Sequence, residues 1–166
     1  LPNQSELTLR DKVSLCYGYG LTMTALQIAQ AYLIFAREGV FKELNLYVDQ
    51  DIVGLVEEER VLSEKTVRLI NMMLVEAVHS KHGTAKKARI DGVVVAGKTG
   101  TAQKNDISGK SYTVTFSGFV PAQNPDLLVV VVLHGLKGDK NSGGQIAAPL
   151  FSTITSQSLN VLESGS

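Results

Sequence analysis

Apolar residues follow helical spacing in two stretches of the first half of the chain. From position 26 to 36 nearly every residue is apolar, which is typical of a helix that is buried on most sides. Thr24 and Gln27 stand at the start of this stretch with the spacing of a capping box, in which each side chain accepts a hydrogen bond from the other residue's backbone N–H. We therefore expect a buried helix over residues 26–36.

A second stretch is apolar on one side only. Ser63 precedes it, and Glu64 supplies an acidic residue to the first turn of a helix starting there. The apolar stripe consists of Val67, Ile70, Leu74, Ala77 and Val78. This spacing predicts an amphipathic helix that ends near Ser80.

Strand patterns fill most of the second half of the chain. Residues 90–95 are rich in β-branched side chains and lead into Lys98. Apolar and polar residues alternate from 112 to 117, which predicts a strand with one apolar face. Residues 127–133 are apolar without alternation, as in a strand that is covered on both faces. The polar segment 102–111 predicts a hairpin loop between the first two strands.

The order of the predicted elements indicates the fold class. The strands are joined by turns of a few residues, which allow antiparallel pairing but no crossover connection. A last helix is predicted from about residue 145 to 162, with Pro149 in its first turn. Residues 1–20 are predicted as a loop and residues 40–62 as short extended pieces. The sequence thus predicts an α+β fold with a three-stranded antiparallel sheet flanked by helices.

Composition excludes several classes of function. The chain has 166 residues, which is enough for one domain, and its 16 basic residues balance 16 acidic ones. A net charge of zero argues against a nucleic-acid partner. The single cysteine, Cys16, excludes an internal disulfide and a cysteine-built zinc site. The sequence has neither an apolar stretch of the ~18 residues that a membrane span needs nor a signal peptide at its start, and we expect it to be part of a longer protein.

The strongest candidate for chemistry is Lys98-Thr99-Gly100-Thr101, here called the Lys-Thr-Gly-Thr segment. It stands at the end of a predicted strand. Because every second side chain of a strand points to the same face, the hydroxyls of Thr99 and Thr101 are expected to point the same way. Gly100 has no Cβ, which lets the backbone approach a ligand closely. Hydroxyl donors, backbone N–H donors and one ammonium group suit a carboxylate or an oxyanion. We therefore expect these four residues to line a pocket that receives a carboxylate or an oxyanion.

Four segments of the chain resemble the class B penicillin-binding proteins, which are monofunctional, and especially their division-type members. Lys-Thr-Gly is one of three motifs of this family, beside Ser-x-x-Lys and Ser-x-Asn. The similar segments are residues 17–32 with Gly-Tyr-Gly, 95–104 around Lys-Thr-Gly, 116–122, and 143–151 with the glycine pair. They stand in the family's order and spacing, from about residue 10 to 162.

The resemblance implies a fold, an activity and a site. The fold is the penicillin-binding, β-lactamase-like transpeptidase fold, and the activity is peptidoglycan D,D-transpeptidation through an acyl-serine intermediate. Lys98 is implied to be catalytic, helping proton movement and anion binding. Thr99, Gly100 and Thr101 are implied to bind substrate, and the N–H of Thr101 to donate to the oxyanion. No cofactor and no metal are implied.

The chain departs from the family at the nucleophile. None of its serines has Lys three residues later, so Ser-x-x-Lys is absent. The one Ser-x-Asn, at Ser158-Leu159-Asn160, lies in the predicted last helix and after Lys-Thr-Gly, which reverses the family's order. We therefore expect residues 1–166 to be the C-terminal part of a transpeptidase domain, inactive alone. We also expect the free edge of the strand at 127–133 to pair with a partner chain, with a swapped second copy or with the upstream half.

The resemblance also implies partners and a location. The partners are the D-Ala-D-Ala stem peptide of peptidoglycan, β-lactam antibiotics, septal cell-division proteins and the upstream half of the domain. The location is the extracytoplasmic, periplasmic face of the cytoplasmic membrane, through an N-terminal anchor outside this chain. Two alternatives remain open, namely a β-lactam sensor and a non-catalytic interaction fragment of the same fold.

Three histidines are weaker candidates. His79 and His82 have a spacing that places two metal ligands on one helix face, but without a third ligand nearby the pattern favours a polar helix end. His134 follows an apolar strand and is predicted to be structural or exposed to solvent.

Overall fold

The computed structural model describes residues 8–16, 18, 21–46, 57–106, 109–138 and 141–164. The helices of these ranges are α1 (Leu9–Cys16), α2 (Ala25–Ala36), α3 (Glu64–His79) and α4 (Ala147–Ser164), with a short 3₁₀ turn at Lys86–Ala88. The strands are β1 (Val40–Lys42), β2 (Glu58–Arg60), β3 (Ala96–Asp106), β4 (Gly109–Val120) and β5 (Leu127–Leu136). None of the described helices is both long and apolar enough to cross a bilayer.

The main sheet is antiparallel with the order β3-β4-β5, which confirms the predicted α+β architecture. β4 lies in the centre, so each outer strand has one edge that no described strand covers. In the register of β3 and β4, Thr99 is opposite Phe116 and Gly100 is opposite Thr115. β1 and β2 form a separate antiparallel pair in which Lys42 and Glu58 make an ion pair of 2.8 Å.

Helices cover both faces of this sheet. Because successive side chains of a strand point to opposite faces, Phe116 and Phe119 of β4 enter different clusters. Phe116 packs edge-on against Phe151 of α4, with ring centroids 4.5 Å apart. Phe119 packs with Leu74 of α3 and residues of α2 on the other face. The β3–β4 hairpin is therefore held between helices at its base.

The caps predicted for α2 and α3 are present. The N–H of Gln27 donates to Thr24 Oγ1 over 3.2 Å, and the N–H of Thr24 donates to Gln27 Oε1 over 2.9 Å, which completes the capping box. Ser63 Oγ accepts from the N–H of Thr66 at the start of α3. The α3 helix ends at His79, close to the predicted end, and its stripe is buried at Val67 and two later positions.

The N-terminal loop prediction was wrong for residues 9–16, which form α1. Thr8 and Asp11 cap this helix reciprocally, since the N–H of each residue donates to the side chain of the other. The helix has no buried residue, so no apolar stripe marked it in the sequence. Tyr17, Tyr19 and Gly20 of the Gly-Tyr-Gly segment lie outside the described residues.

The strand boundaries also differ from the prediction. The run at 90–95 forms only one bridge, between Ile90 and Val93, because Gly92 turns the backbone with a φ of +78°. The hairpin loop predicted at 102–111 was too long, since β3 continues to Asp106 and β4 begins at Gly109. Both faces of these extensions carry polar residues, so the sequence there shows no alternation of apolar and polar positions that would predict a strand.

The third strand is longer and less covered than predicted. β5 runs three residues beyond 133, and only Val131 of its apolar run is buried. The other apolar side chains of the run are partly exposed, because β5 is an outer strand of the described sheet. The edge of β5 that faces away from β4 has no partner strand among the described residues.

Candidate functional site

The Lys-Thr-Gly-Thr segment lies in the first half of β3, with β4 on one side. Lys98 and Thr101 are exposed, and Thr99 and Gly100 are partly buried. Lys98 Nζ lies 3.3 Å from the carbonyl oxygen of Thr99 and 3.4 Å from Thr99 Oγ1. The ammonium group is thus held beside a hydroxyl while remaining open to solvent.

The two threonines of the segment face the same way, as the sequence predicts. Gly143, in the turn before α4, donates its N–H to Thr101 Oγ1 over 3.0 Å. A Cβ placed on Gly143 would lie 3.1 Å from Thr99 Cβ and 2.6 Å from the carbonyl oxygen of Gly100. The absence of a side chain at Gly143 therefore lets its backbone reach the hydroxyl of Thr101.

Gly100 is required for a reason that the sequence did not reveal. A Cβ at this position would collide with Thr115 Oγ1 on the neighbouring strand. The atom closest to this position is thus on a protein side chain, whereas the sequence interpretation emphasised the approach of a ligand. The lack of a side chain at Gly100 therefore leaves room for the hydroxyl of Thr115, the residue opposite it on β4.

Thr84 joins the segment from outside β3. Its hydroxyl oxygen lies 3.2 Å from Thr99 Oγ1. The turn that carries it is fixed on both sides: Ala85 donates its N–H to the carbonyl of Ala77 over 3.0 Å, and Gly83 leaves no room for a Cβ beside the same carbonyl. No local sequence pattern predicts the contact between Thr84 and Thr99, because it depends on how the end of α3 packs against β3.

The edge of β3 that faces away from β4 carries the N–H of Thr101. Val95, just before the strand, donates its N–H to His79 Nε2 over 3.1 Å and so points away from β4. N–H directions alternate along an extended strand, so residues 97, 99 and 101 point to the same edge as Val95. The backbone donor of Thr101 is therefore directed away from β4.

The weaker candidates are spread over the fold. His82 is exposed at the end of α3, while His79 accepts the hydrogen bond of Val95. His134 is exposed, and its Nδ1 lies 3.0 Å from Thr113 Oγ1, in agreement with a structural or solvent-facing role. Within the described ranges no three His, Cys, Asp or Glu side chains come together as a metal site. Cys16 is exposed.

A cavity of about 750 Å³ lies elsewhere, between α2, α3 and the turn after β4. Phe35, Asn71 and Pro125 are among its lining residues, and none of the Lys-Thr-Gly-Thr residues is. In the described chain the segment thus forms an open wall along a strand edge.

Known proteins resemble this chain over almost its whole length. Residues 3–156 match the penicillin-binding protein transpeptidase domain family. A curated relative, the peptidoglycan D,D-transpeptidase FtsI of Buchnera aphidicola subsp. Baizongia pistaciae, is 37% identical over 164 residues. That alignment covers 96% of this chain and 28% of the relative, so the chain spans just over a quarter of the relative's length.

Two solved structures share the fold. The apo transpeptidase domain of Burkholderia pseudomallei penicillin-binding protein 3 is 31% identical with a TM-score of 0.84, covering 98% of this chain and 49% of that one. Penicillin-binding protein 3 of Mycobacterium tuberculosis, complexed with aztreonam, is 26% identical with a TM-score of 0.75, covering 98% and 40%. By sequence and by fold, this chain belongs to the penicillin-binding protein transpeptidase family, as a division-type class B fragment.

Proposed function

We propose that this chain forms the Lys-Thr-Gly wall of a peptidoglycan D,D-transpeptidase site that cross-links stem peptides and is acylated by β-lactams. The observation that carries the proposal is the convergence of Lys98, Thr99 and Thr101 on the uncovered edge of β3, in a chain of the transpeptidase family. Hydroxyl, ammonium and backbone N–H donors along one edge suit an anionic acyl group.

Each residue has a part in the proposed reaction. The hydroxyls of Thr99 and Thr101 bind the terminal carboxylate of the D-Ala-D-Ala unit or of a β-lactam. The N–H of Thr101 donates to the oxyanion that forms when a serine hydroxyl attacks the acyl carbon. Lys98 adds positive charge beside the carboxylate and assists proton movement. The attacked bond breaks to release D-Ala, and an amine from a neighbouring stem peptide then displaces the serine.

The serine itself belongs to a part of the protein outside this chain. The proposal therefore makes residues 1–166 the C-terminal part of the transpeptidase domain, with the nucleophile supplied by an upstream half. The free edge of β5 is the proposed junction with that half, because its N–H and C=O groups have no partner strand in the described chain. The complete protein acts at the periplasmic face of the cytoplasmic membrane with septal division proteins.

Covalent labelling tests this function. The intact protein is incubated with a fluorescent penicillin, and the labelled fraction is followed on denaturing gels. Wild-type protein is expected to be labelled, Lys98→Met to be labelled at least ~100-fold more slowly, and residues 1–166 alone not at all, because activation of a serine needs its adjacent base. Competition by aztreonam is expected to reduce the labelling.

Two results contradict the proposal. If the intact wild-type protein takes up no penicillin, the assigned site does not exist. If Lys98→Met is labelled as fast as the wild type, Lys98 has no part in acylation. A D-Ala-D-Ala peptide with an amine acceptor separates a transpeptidase from a β-lactam sensor, since only the former forms the cross-linked product.

A further inference from the structure

We propose that His79 is a positioning residue for the Lys-Thr-Gly-Thr segment, through the hydrogen bond that its neutral imidazole accepts from the backbone of Val95. The effect on acylation rests on the proposed function, whereas the effect on the strand does not. His79 is the last residue of α3, and Val95 stands three residues before Lys98.

The contact links the last residue of α3 to the residue just before β3. His79 Nε2 accepts the backbone N–H of Val95 over 3.1 Å in a partly buried position. The side chain of Val95 is fully buried, and the carbonyl of the preceding Val94 accepts the N–H of Ala122 over 2.8 Å. The backbone entering β3 is therefore held between the end of α3 and the turn after β4.

The hydrogen bond lies on the edge of β3 that carries the site. Val95 and Thr101 direct their N–H groups to the same side by the alternation of the strand. His79 thus supports the start of the β3 edge along which the backbone N–H of Thr101 lies. Loss of this support would free the backbone just before Lys98, and a displacement of about 1 Å in a catalytic group lowers rates substantially.

Only the neutral imidazole makes this bond. In neutral histidine one ring nitrogen carries a proton and the other accepts, whereas the protonated ring has two donors and no acceptor. Because Nε2 faces the N–H of Val95, the resident proton must be on Nδ1. Protonation of Nε2 would place one N–H against another and break the contact.

A positively charged side chain already lies at the end of α3 beside His79. The carbonyl end of a helix attracts cations, but the Arg89 guanidinium already occupies it, donating to the carbonyls of residues 78, 79 and 80 over 3.0, 2.9 and 3.3 Å. A protonated His79 would therefore add a second positive charge beside Arg89. The other charged or titratable groups near the end of α3 in sequence are Glu76, Lys81, His82 and Asp91.

The test uses the intact protein and two variants. His79→Gln places an amide oxygen near the position of Nε2, which accepts at every pH, and His79→Leu removes the acceptor. The second-order rate of acylation by penicillin is measured at neutral pH. We expect His79→Leu to be acylated about 2- to 10-fold more slowly than wild type, which is the range that one hydrogen bond supports. His79→Gln keeps an acceptor and is expected to stay within about twofold of wild type.

A second measurement is independent of acylation. In protein labelled with ¹⁵N at valine and alanine, the amide of Val95 is expected to lose hydrogen-exchange protection relative to the amide of Ala122 in His79→Leu but not in His79→Gln. Equal acylation rates and equal exchange protection in the two variants would overturn the proposal. An intact wild-type protein that never acylates refutes the proposed function, and the exchange data then decide the role of His79 by themselves.

Discussion

Thr84 and Thr99 bring their hydroxyl oxygens to 3.2 Å although 15 positions separate them in the chain. Thr99 also lies 3.4 Å from Lys98 Nζ. If Thr84 and Lys98 both donate to Thr99 Oγ1, the proton of the Thr99 hydroxyl is left free for a ligand. In the proposed site, Thr84 thereby orients a donor toward the carboxylate.

Thr84→Val is expected to slow acylation of the intact protein by penicillin about 2- to 10-fold, because one hydrogen bond of the carboxylate site loses its partner. Thr84→Ser keeps the hydroxyl and is expected to stay within about twofold of wild type. The rate of labelling by fluorescent penicillin gives both numbers. Equal rates for the valine and serine variants would mean that the hydroxyl of Thr84 has no part in the site.

Gly100→Ala is expected to destabilise the protein by about 1–3 kcal/mol, because the new methyl group collides with Thr115 Oγ1 across the strand pair. The matched control is the double variant Gly100→Ala with Thr115→Ala, which removes the colliding atom. Urea unfolding should show that the second substitution recovers most of the loss. Additive effects of the two substitutions would contradict the collision.

Thr101→Val is expected to cost about 1–3 kcal/mol of unfolding free energy, since the N–H of the buried Gly143 loses its acceptor. Thr101→Ser preserves the acceptor and should unfold close to wild type. Thermal unfolding without any ligand measures this structural part of Thr101 separately from substrate binding. A valine variant as stable as the serine variant would show that Gly143 finds another acceptor.

Tyr32 of α2 makes the free energy of unfolding depend on pH. Burial against the sheet raises the pKa of its hydroxyl to about 12, from a usual value of 10.0. Between these values the unfolded chain loses the proton first, so unfolding becomes easier as the pH rises, by up to about 1.4 kcal/mol per pH unit. In Tyr32→Phe this loss should disappear from chemical unfolding curves recorded between pH 9 and 11. An unchanged slope in the variant would assign the loss to other groups.

The sequence predicted helices and strands where the burial of one face requires apolar residues at a regular spacing. The stripe of α3 and the alternation of β4 both reflect one face packed against a core, and the cap of α2 is a local contact between Thr24 and Gln27. The extensions of β3 and β4 toward Asp106 and Gly109 are held by the antiparallel ladder, and residues 101–104, 109 and 110 there are exposed. Strand pairing of this kind produces no hydrophobic pattern, so the sequence did not predict these extensions.

The candidate site was predicted in part, for a related reason. The Lys-Thr-Gly-Thr segment and the glycine pair are contiguous motifs, and a resemblance identifies them. The partners Thr84, His79 and Thr115 meet β3 only after the chain has folded, across 15, 16 and 15 positions respectively. Contacts at that separation depend on packing, which a single sequence does not encode as a pattern.

A side chain on Gly143 would first meet the peptide oxygens of Thr115 and Gly100. In most cores a bulkier residue is accommodated when a neighbour adopts another rotamer. Here the neighbouring oxygens are fixed by the ladder that joins β3 to β4, so any added atom must move the ladder itself. The glycine at 143 therefore couples the start of α4 to the main chain of β3 and β4, and through it to the position of the Thr101 hydroxyl.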